Sequence, residues 1–277
     1  MPVDALEITR VGGVIGAEIH GLDLARSLPD RTVAAIRQAL LDHLVVFFRG
    51  QDLTPAQYRA FASRIGTPIE YPFVPGIEGF PEITPVLKRP DQTINFGGVW
   101  HSDTTYLPEP PMATLLLARE IPSIGGDTEF ANQYIAYETL SDGMKSVLGG
   151  LRGVARSDKA EASRTREDRA RQTGARPEVL IAEHPVIRTH PETGRKALYV
   201  NIAHTARFAG MTEEESLPLL RFLWRHQTRP ELTCRFSWSP GALALWDNRC
   251  AQHQALNDYQ GQKRLMHRIT LAGDVPR

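Results

Sequence analysis

The segment Arg264-Leu265-Met266-His267-Arg268-Ile269-Thr270 sets the tightest limit on what this chain can become. Strand alternation puts Arg264, Met266 and Arg268 on one face, and Leu265, His267 and Ile269 on the other. One face must look inward. If it is the arginine face, two guanidiniums enter the interior. A buried cation is costly unless paired, and a planar guanidinium pairs best with a carboxylate or similar oxyanion, two hydrogen bonds at a time. The other reading is a pair of solvent-facing arginines that bind nothing. Neighbouring segments support the strand. Thr233–Trp238, Ala242–Trp246 and Cys250–Ala255 all have strand length, and turns at Pro240-Gly241 and Asp247-Asn248-Arg249 separate them. Pro185–His190 and Arg195–Asn201 read as a hairpin about Pro191-Glu192-Thr193-Gly194. Short strands punctuated by turns predict a mainly β chain, a sandwich or jelly roll with supporting helices.

The helical signals are fewer and lie mostly elsewhere. Asp30 can cap a helix with Val33, Ile36 and Leu40 on one face, and the apolar run Leu44–Phe48 then reads as a buried strand. Thr54-Pro55-Ala56-Gln57 is a capping box with proline at the first helical position, followed by a stripe of Tyr58, Phe61, Ala62 and Ile65. Residues 67–98 read as loops and short strands that form one wall of a pocket. Tyr134–Leu148 has a helical pattern. Thr212 with Glu215 opens another helix, with Leu219, Leu220, Leu223 and Trp224 on its buried side. Residues 156–177 are dense in charge and nearly free of large apolar side chains, which predicts an exposed, mobile insertion, either a lid or a solvated loop. No repeat or linker divides the chain, so residues 1–277 are expected to form a single domain.

Charge narrows the partners. Lys+Arg and Asp+Glu both number 32, so nothing electrostatic points to nucleic acid or an anionic membrane. No apolar run is long enough to span a bilayer, and no signal peptide is visible. The two cysteines, Cys234 and Cys250, exclude a multi-cysteine zinc or iron–sulfur site and fit a reducing, cytoplasmic compartment.

The chemistry centres on His101-Ser102-Asp103. In a strand these two ligand types would point to the same side, and a second histidine would complete the two-histidine, one-carboxylate face of oxygen-activating iron(II) enzymes. Trp100 and Tyr106 flank the pair with aromatic bulk. His253, in a strand-like segment after the Asp247-Asn248-Arg249 turn, is the candidate third ligand. His190-Pro191-Glu192 has suitable ligand types but falls on an evident turn and is set aside. In Gly125-Gly126-Asp127-Thr128 the glycines permit a tight turn, and the Thr128 hydroxyl is placed to donate to a carboxylate held by Arg264. A zinc hydrolase with the same ligands, or a non-catalytic jelly-roll protein that binds a metal or anion, is a competing reading. Neither accounts as well for two inward arginines plus Thr128.

Taken together, Trp100-His101-Ser102-Asp103, Gly125-Gly126-Asp127-Thr128, Trp246-Asp247-Asn248-Arg249 before His253, and the spaced Arg264 and Arg268 resemble the taurine dioxygenase family. That family includes aryloxyalkanoate dioxygenases and alkylsulfatases. The resemblance implies a double-stranded β-helix and a 2-oxoglutarate-dependent non-haem iron(II) dioxygenase. It implies His101, Asp103 and His253 as iron ligands, and Thr128 and Arg264 as partners of the distal carboxylate of 2-oxoglutarate. Arg268 would lie near the substrate's anionic group. Such enzymes take a small anionic substrate and O2, release succinate, and are usually oligomers, here a dimer or tetramer. The substrate pocket departs from taurine dioxygenase proper. Tyr71 and Val74 stand where that enzyme has a histidine and a tyrosine, and Gly97, with Asn95 close by, stands where it has an asparagine. The expected substrate is therefore a larger anion of aryloxyalkanoate, alkyl sulfate or sulfonate type. A biosynthetic hydroxylase or desaturase of an amino-acid-like substrate is the alternative within the family.

Overall fold

The structure, a computed structural model, describes residues 6–159 and 178–277. The charged stretch expected at 156–177 therefore lies almost wholly outside the described residues, and Arg156 itself ends a strand. In chain order the strands are β1 (Glu7–Arg10), β2 (Ala17–His20), β3 (Val45–Phe48), β4 (Pro68–Ile69), β5 (Thr84–Lys88), β6 (Ala113–Glu120), β7 (Thr128–Asn132), β8 (Arg152–Arg156), β9 (Ile181–Pro185), β10 (Ile187–Thr189), β11 (Lys196–Leu198), β12 (Thr205–Phe208), β13 (Thr233–Phe236), β14 (Leu243–Asp247), β15 (Ala251–Ala255) and β16 (Arg264–Leu271). The helices are α1 (Asp30–His43), α2 (Pro55–Ile65), α3 (Gln133–Glu138), α4 (Asp142–Leu148) and α5 (Glu213–Gln227).

The main sheet runs β1-β2-β3-β14-β6-β16-β4, with β5 also paired to β16. A three-stranded sheet, β13-β7-β15, faces it. Alternation sorts the main sheet's side chains into two layers. Val46, Phe48, Leu115, Leu117, Leu243, Leu245, Ile269 and Leu271 point to one side and bury Val33, Ile36 and Leu40 of α1 with Tyr58, Phe61, Ala62 and Ile65 of α2. Val45, Phe47, Leu116, Ala118, Ala244, Trp246 and Met266 point to the other side and pack on Phe130, Cys234, Phe236 and Ala251 of the facing sheet. Phe47 and Phe236 stack across that interface with centroids 3.9 Å apart. Strands covered on both faces cannot alternate polar with apolar, which is why Leu44–Phe48 reads as a continuous apolar run. The result is the expected jelly roll, mainly β with supporting helices. Among the described residues the two sheets do not close into a barrel.

The local helix signals hold with two corrections. Thr54 and Thr212 both form reciprocal capping boxes. Asp30, however, is the first helical residue rather than the cap. Pro29 holds the cap position without a side-chain bond, and the Asp30 carboxylate accepts from Arg64 instead. The pattern over Tyr134–Leu148 is two helices, because Ser141 starts α4 afresh by accepting from the Met144 amide. The hairpin about Pro191–Gly194 forms as β10 and β11. Among the described residues no helix is long and apolar enough to cross a membrane, and both cysteines are buried free thiols.

Candidate active site

The histidines meet through the backbone. His101 N–H donates to the His253 carbonyl at 3.0 Å, and His253 N–H returns the bond at 2.8 Å. This bridge is isolated, so the strand expected through His101 and Asp103 does not exist. Residues 103–106 form a turn, and Thr104 has φ 43°. The turn, rather than strand alternation, brings the Asp103 carboxylate back to 3.7 Å from His101 Nε2. One ligand atom from each of His101, Asp103 and His253 lies within 4.8 Å of the others. All three side chains are buried.

Their electrostatics suit a cation. Burial holds the His253 imidazole down to about 3, reinforced by His101. Burial also lowers His101. Both rings are therefore neutral at pH 7, with lone pairs to offer. His101 Nδ1 lies 2.7 Å from the Val99 carbonyl, which accepts a hydrogen bond from the protonated Nδ1 and leaves Nε2 as the lone-pair side. Burial penalises the Asp103 carboxylate, but His253, Arg268, His101 and the Thr114 hydroxyl outweigh it and hold the group at about 2.

The arginine face of β16 does look inward. Arg264, Met266 and Arg268 are buried, whereas Leu265 and His267 are only partly so. Arg264 Nε and Nη2 and Arg268 Nη2 have no hydrogen-bond partner among the described residues. The Arg268 guanidinium lies 4.2 Å from the Tyr71 ring centroid and 5.2 Å from that of Phe96. Its Nη1 is 3.7 Å from Asp103 Oδ1. Thr128 Oγ1 accepts from Trp238 Nε1 at 2.9 Å, which leaves the threonine proton to donate elsewhere. The same indole lies beside Arg264, 5.8 Å from ring centroid to guanidinium carbon. The Gly125-Gly126 turn has φ 79° and 74°, and a Cβ on Gly126 would meet Arg264 Cδ at 3.3 Å.

One narrow cleft brings His101, Thr128, His253, Arg264 and Arg268 together, walled by Val86, Phe96, Leu116 and Trp246. Gly97 also lines it, at φ 75°, where a Cβ would press on His101 Cε1 at 3.2 Å. Tyr71 reaches the site as the ring under Arg268. Val74 does not line the cleft. Asn95 turns its amide away, donating to the Ala255 and Leu256 carbonyls at 2.9 and 3.2 Å. Several contributors carried no recognisable signal in the sequence. Thr114 sits in an apolar strand, and Trp238 lies two residues beyond β13. His204 lies edge-on to His101, with ring centroids 6.0 Å apart.

A second cluster, His190, Asp247 and Cys250, also has metal-ligand types within 4.8 Å. A guanidinium already holds it. Asp247 accepts from Arg249 Nε at 2.9 Å and Nη2 at 2.6 Å, and its Oδ2 lies 3.0 Å from His190 Nε2. Glu192 pairs with the same arginine at 2.8 Å. The His190-Pro191-Glu192 segment thus belongs to an ion-pair network, buried at His190, Asp247 and Arg249, that locks the turn before β15. Asp247→Asn is expected to cost about 3 kcal/mol, the low end for removing one partner of a buried pair, because Glu192 remains as an anionic partner of Arg249. Unchanged denaturant midpoints would refute this. The Asp247 carboxyl lies well below the ordinary carboxylate range, since Arg249 and His190 outweigh its burial. Its stabilisation is therefore complete above about pH 4 and is lost as pH falls toward the depressed value.

The sequence matches the family described as taurine catabolism dioxygenase TauD, TfdA family over residues 7–270. An alkylsulfatase of Acinetobacter baylyi is 36% identical, covering 99% of this chain and 87% of its own length. An alpha-ketoglutarate-dependent sulfate ester dioxygenase of Pseudomonas putida is also 36% identical, covering 98% and 91%. The crystal structure of a taurine dioxygenase from Burkholderia xenovorans superposes with a TM-score of 0.84 at 40% identity, covering 98% of this chain and 91% of that one.

Proposed function

The chain belongs to the taurine catabolism dioxygenase TauD, TfdA family, and from that premise we propose that it is an iron(II)- and 2-oxoglutarate-dependent dioxygenase of small organic anions, with alkyl sulfates first among them. The observation that carries the reading is the pair of buried guanidiniums. Arg264 and Arg268 open onto the cleft that holds His101 and His253, and both carry unpartnered nitrogens. Two anionic groups would satisfy them, which neither a zinc hydrolase nor a simple metal binder requires.

The residues fit the implied groups. His101, His253 and Asp103 would hold iron(II), since two neutral imidazoles and an ionised carboxylate form a donor set for it. When bound with 2-oxoglutarate and O2, the metal supplies the oxidation that yields succinate, carbon dioxide and a hydroxylated substrate. Arg264 and the outward Thr128 proton would fix the distal carboxylate of 2-oxoglutarate. Arg268, held over the Tyr71 ring, would clamp the substrate's anionic group and set which C–H bond faces the reacting centre. The apolar walls keep water out and accept a carbon chain. Hydroxylation at the carbon that bears a sulfate ester oxygen gives an unstable product that collapses to an aldehyde and sulfate. The two sulfate-ester relatives and the apolar walls favour that class over taurine.

The direct test is anaerobic addition of iron(II) and 2-oxoglutarate, followed by aeration with alkyl sulfates, sulfonates and aryloxyalkanoates. A visible charge-transfer band and then substrate-dependent succinate are expected, and absence of both would sink the proposal. Arg268→Ala should raise the substrate KM about thirty-fold or more, the lower end for truncating a buried charged pair. Its affinity for 2-oxoglutarate should change much less. If only 2-oxoglutarate binding moved, the division of labour between the arginines would be wrong.

A further inference from the structure

A chain of hydrogen bonds holds the Asp103 carboxylate from behind, and its direction is determined at every link. Trp246 Nε1 donates to Asn248 Oδ1 at 2.9 Å. The same oxygen accepts the Asp103 backbone N–H at 3.2 Å. The Asn248 amide is thereby oriented, and its Nδ2 donates to Thr114 Oγ1 at 2.8 Å. An indole N–H and an amide NH2 can only donate, so the Thr114 proton goes to Asp103 Oδ2, 2.7 Å away. All four residues are buried, Thr114 and Asn248 completely. Two of its members are anchored on the sheet, because Thr114 and Trp246 are register partners across β6 and β14.

We propose that Thr114, aimed by Asn248 and Trp246, is a positioning residue that restricts Asp103 to a single ligating oxygen. The proposal rests on the reading of His101, Asp103 and His253 as the metal ligands. The Thr114 bond commits Oδ2. The other oxygen, Oδ1, faces the site, 3.7 Å from both His101 Nε2 and Arg268 Nη1. A carboxylate free to rotate and chelate with both oxygens would take one more position around the metal. On a six-coordinate ion, two histidines and one carboxylate oxygen would leave three positions open, and a second carboxylate oxygen would take one of them. A hydroxyl locked in the dry core prevents the second oxygen from competing without adding charge. Outer hydrogen-bond partners of this kind govern metal affinity as well as ligand orientation.

Mn(II) alone, without 2-oxoglutarate, is the probe. Thr114→Val keeps the shape and removes the proton. It is expected to weaken Mn(II) binding about 10–100-fold by calorimetric titration. Thr114→Ser restores the hydroxyl and should bind within about threefold of the parent, a rescue that a packing role alone would not produce. The crystal structure of the Mn(II)-loaded parent should show one Asp103 oxygen on the metal and the other on Thr114 Oγ1. Parent-like Mn(II) affinity in a folded Thr114→Val protein overturns the proposal. A two-oxygen Asp103 chelate in the parent also overturns it, and that result stands even if the valine variant does not fold. A parent that takes up no divalent metal would remove the ligand reading itself, an outcome distinct from the other two.

Discussion

His253→Ala is expected to abolish metal uptake and turnover together, with a loss in Mn(II) or iron(II) affinity well beyond the roughly 100-fold that outer-shell changes cost. The argument depends on how His253 is held. Its backbone, not its side chain, makes the bridge to His101, so the alanine variant keeps both bonds of that bridge. The ring packs between His101 at 4.1 Å and Trp246 at 4.5 Å, centroid to centroid. Removing it therefore also leaves a cavity, which costs about 3–5 kcal/mol by analogy with large-to-alanine changes in cores. Stability and function should part company on supplementing the assay with metal. A variant that merely unfolds regains nothing from metal. A folded variant lacking a ligand shows a native circular dichroism spectrum with no charge-transfer band. A folded His253→Ala protein with an intact band would mean that the third ligand is misassigned.

Much of this site was legible because period-2 alternation leaves few choices. Once Arg264, Met266 and Arg268 share a face, burying Met266 buries both arginines. The capping boxes at Thr54 and Thr212 were equally plain, because each is complete within four residues. The pairing of His101 with Asp103 was expected for the wrong physical reason. Their convergence comes from one bridge and a turn through Thr104, and the turn is secured by Asn248 from the far end of the chain. No local pattern encodes that. Thr114 was hidden for a related reason. Among the apolar residues of β6 a single threonine reads as β propensity, and its role appears only when β14 is laid beside it in register. Asn95 was near the right place in sequence, but its amide serves the backbone at the end of β15.

Arg264→Met should produce two changes of opposite sign. Affinity for 2-oxoglutarate should fall about 10²–10³-fold, within the range for truncating one partner of a buried hydrogen-bonded charge pair. Binding of Mn(II) alone should stay close to the parent, because Arg264 is not among the groups that act on His101, Asp103 or His253. The ligand-free protein, meanwhile, should become as stable or more stable. Arg264 is buried with Nε and Nη2 unpartnered among the described residues, and burial pulls its pKa below the ordinary guanidinium value. An apolar side chain of similar length relieves that cost. Added to the Mn(II)-loaded parent, 2-oxoglutarate should raise Tm further through binding to the native state, whereas in Mn(II)-loaded Arg264→Met the same concentration should add little. Arg264→Lys is a stricter control, since one ammonium cannot reproduce the planar fork and should rescue little of the affinity. A guanidinium that served only the fold would give the reverse pattern, with Arg264→Met less stable and 2-oxoglutarate binding intact. The sign of the stability change therefore decides whether β16 buries its arginine for the fold or for the co-substrate.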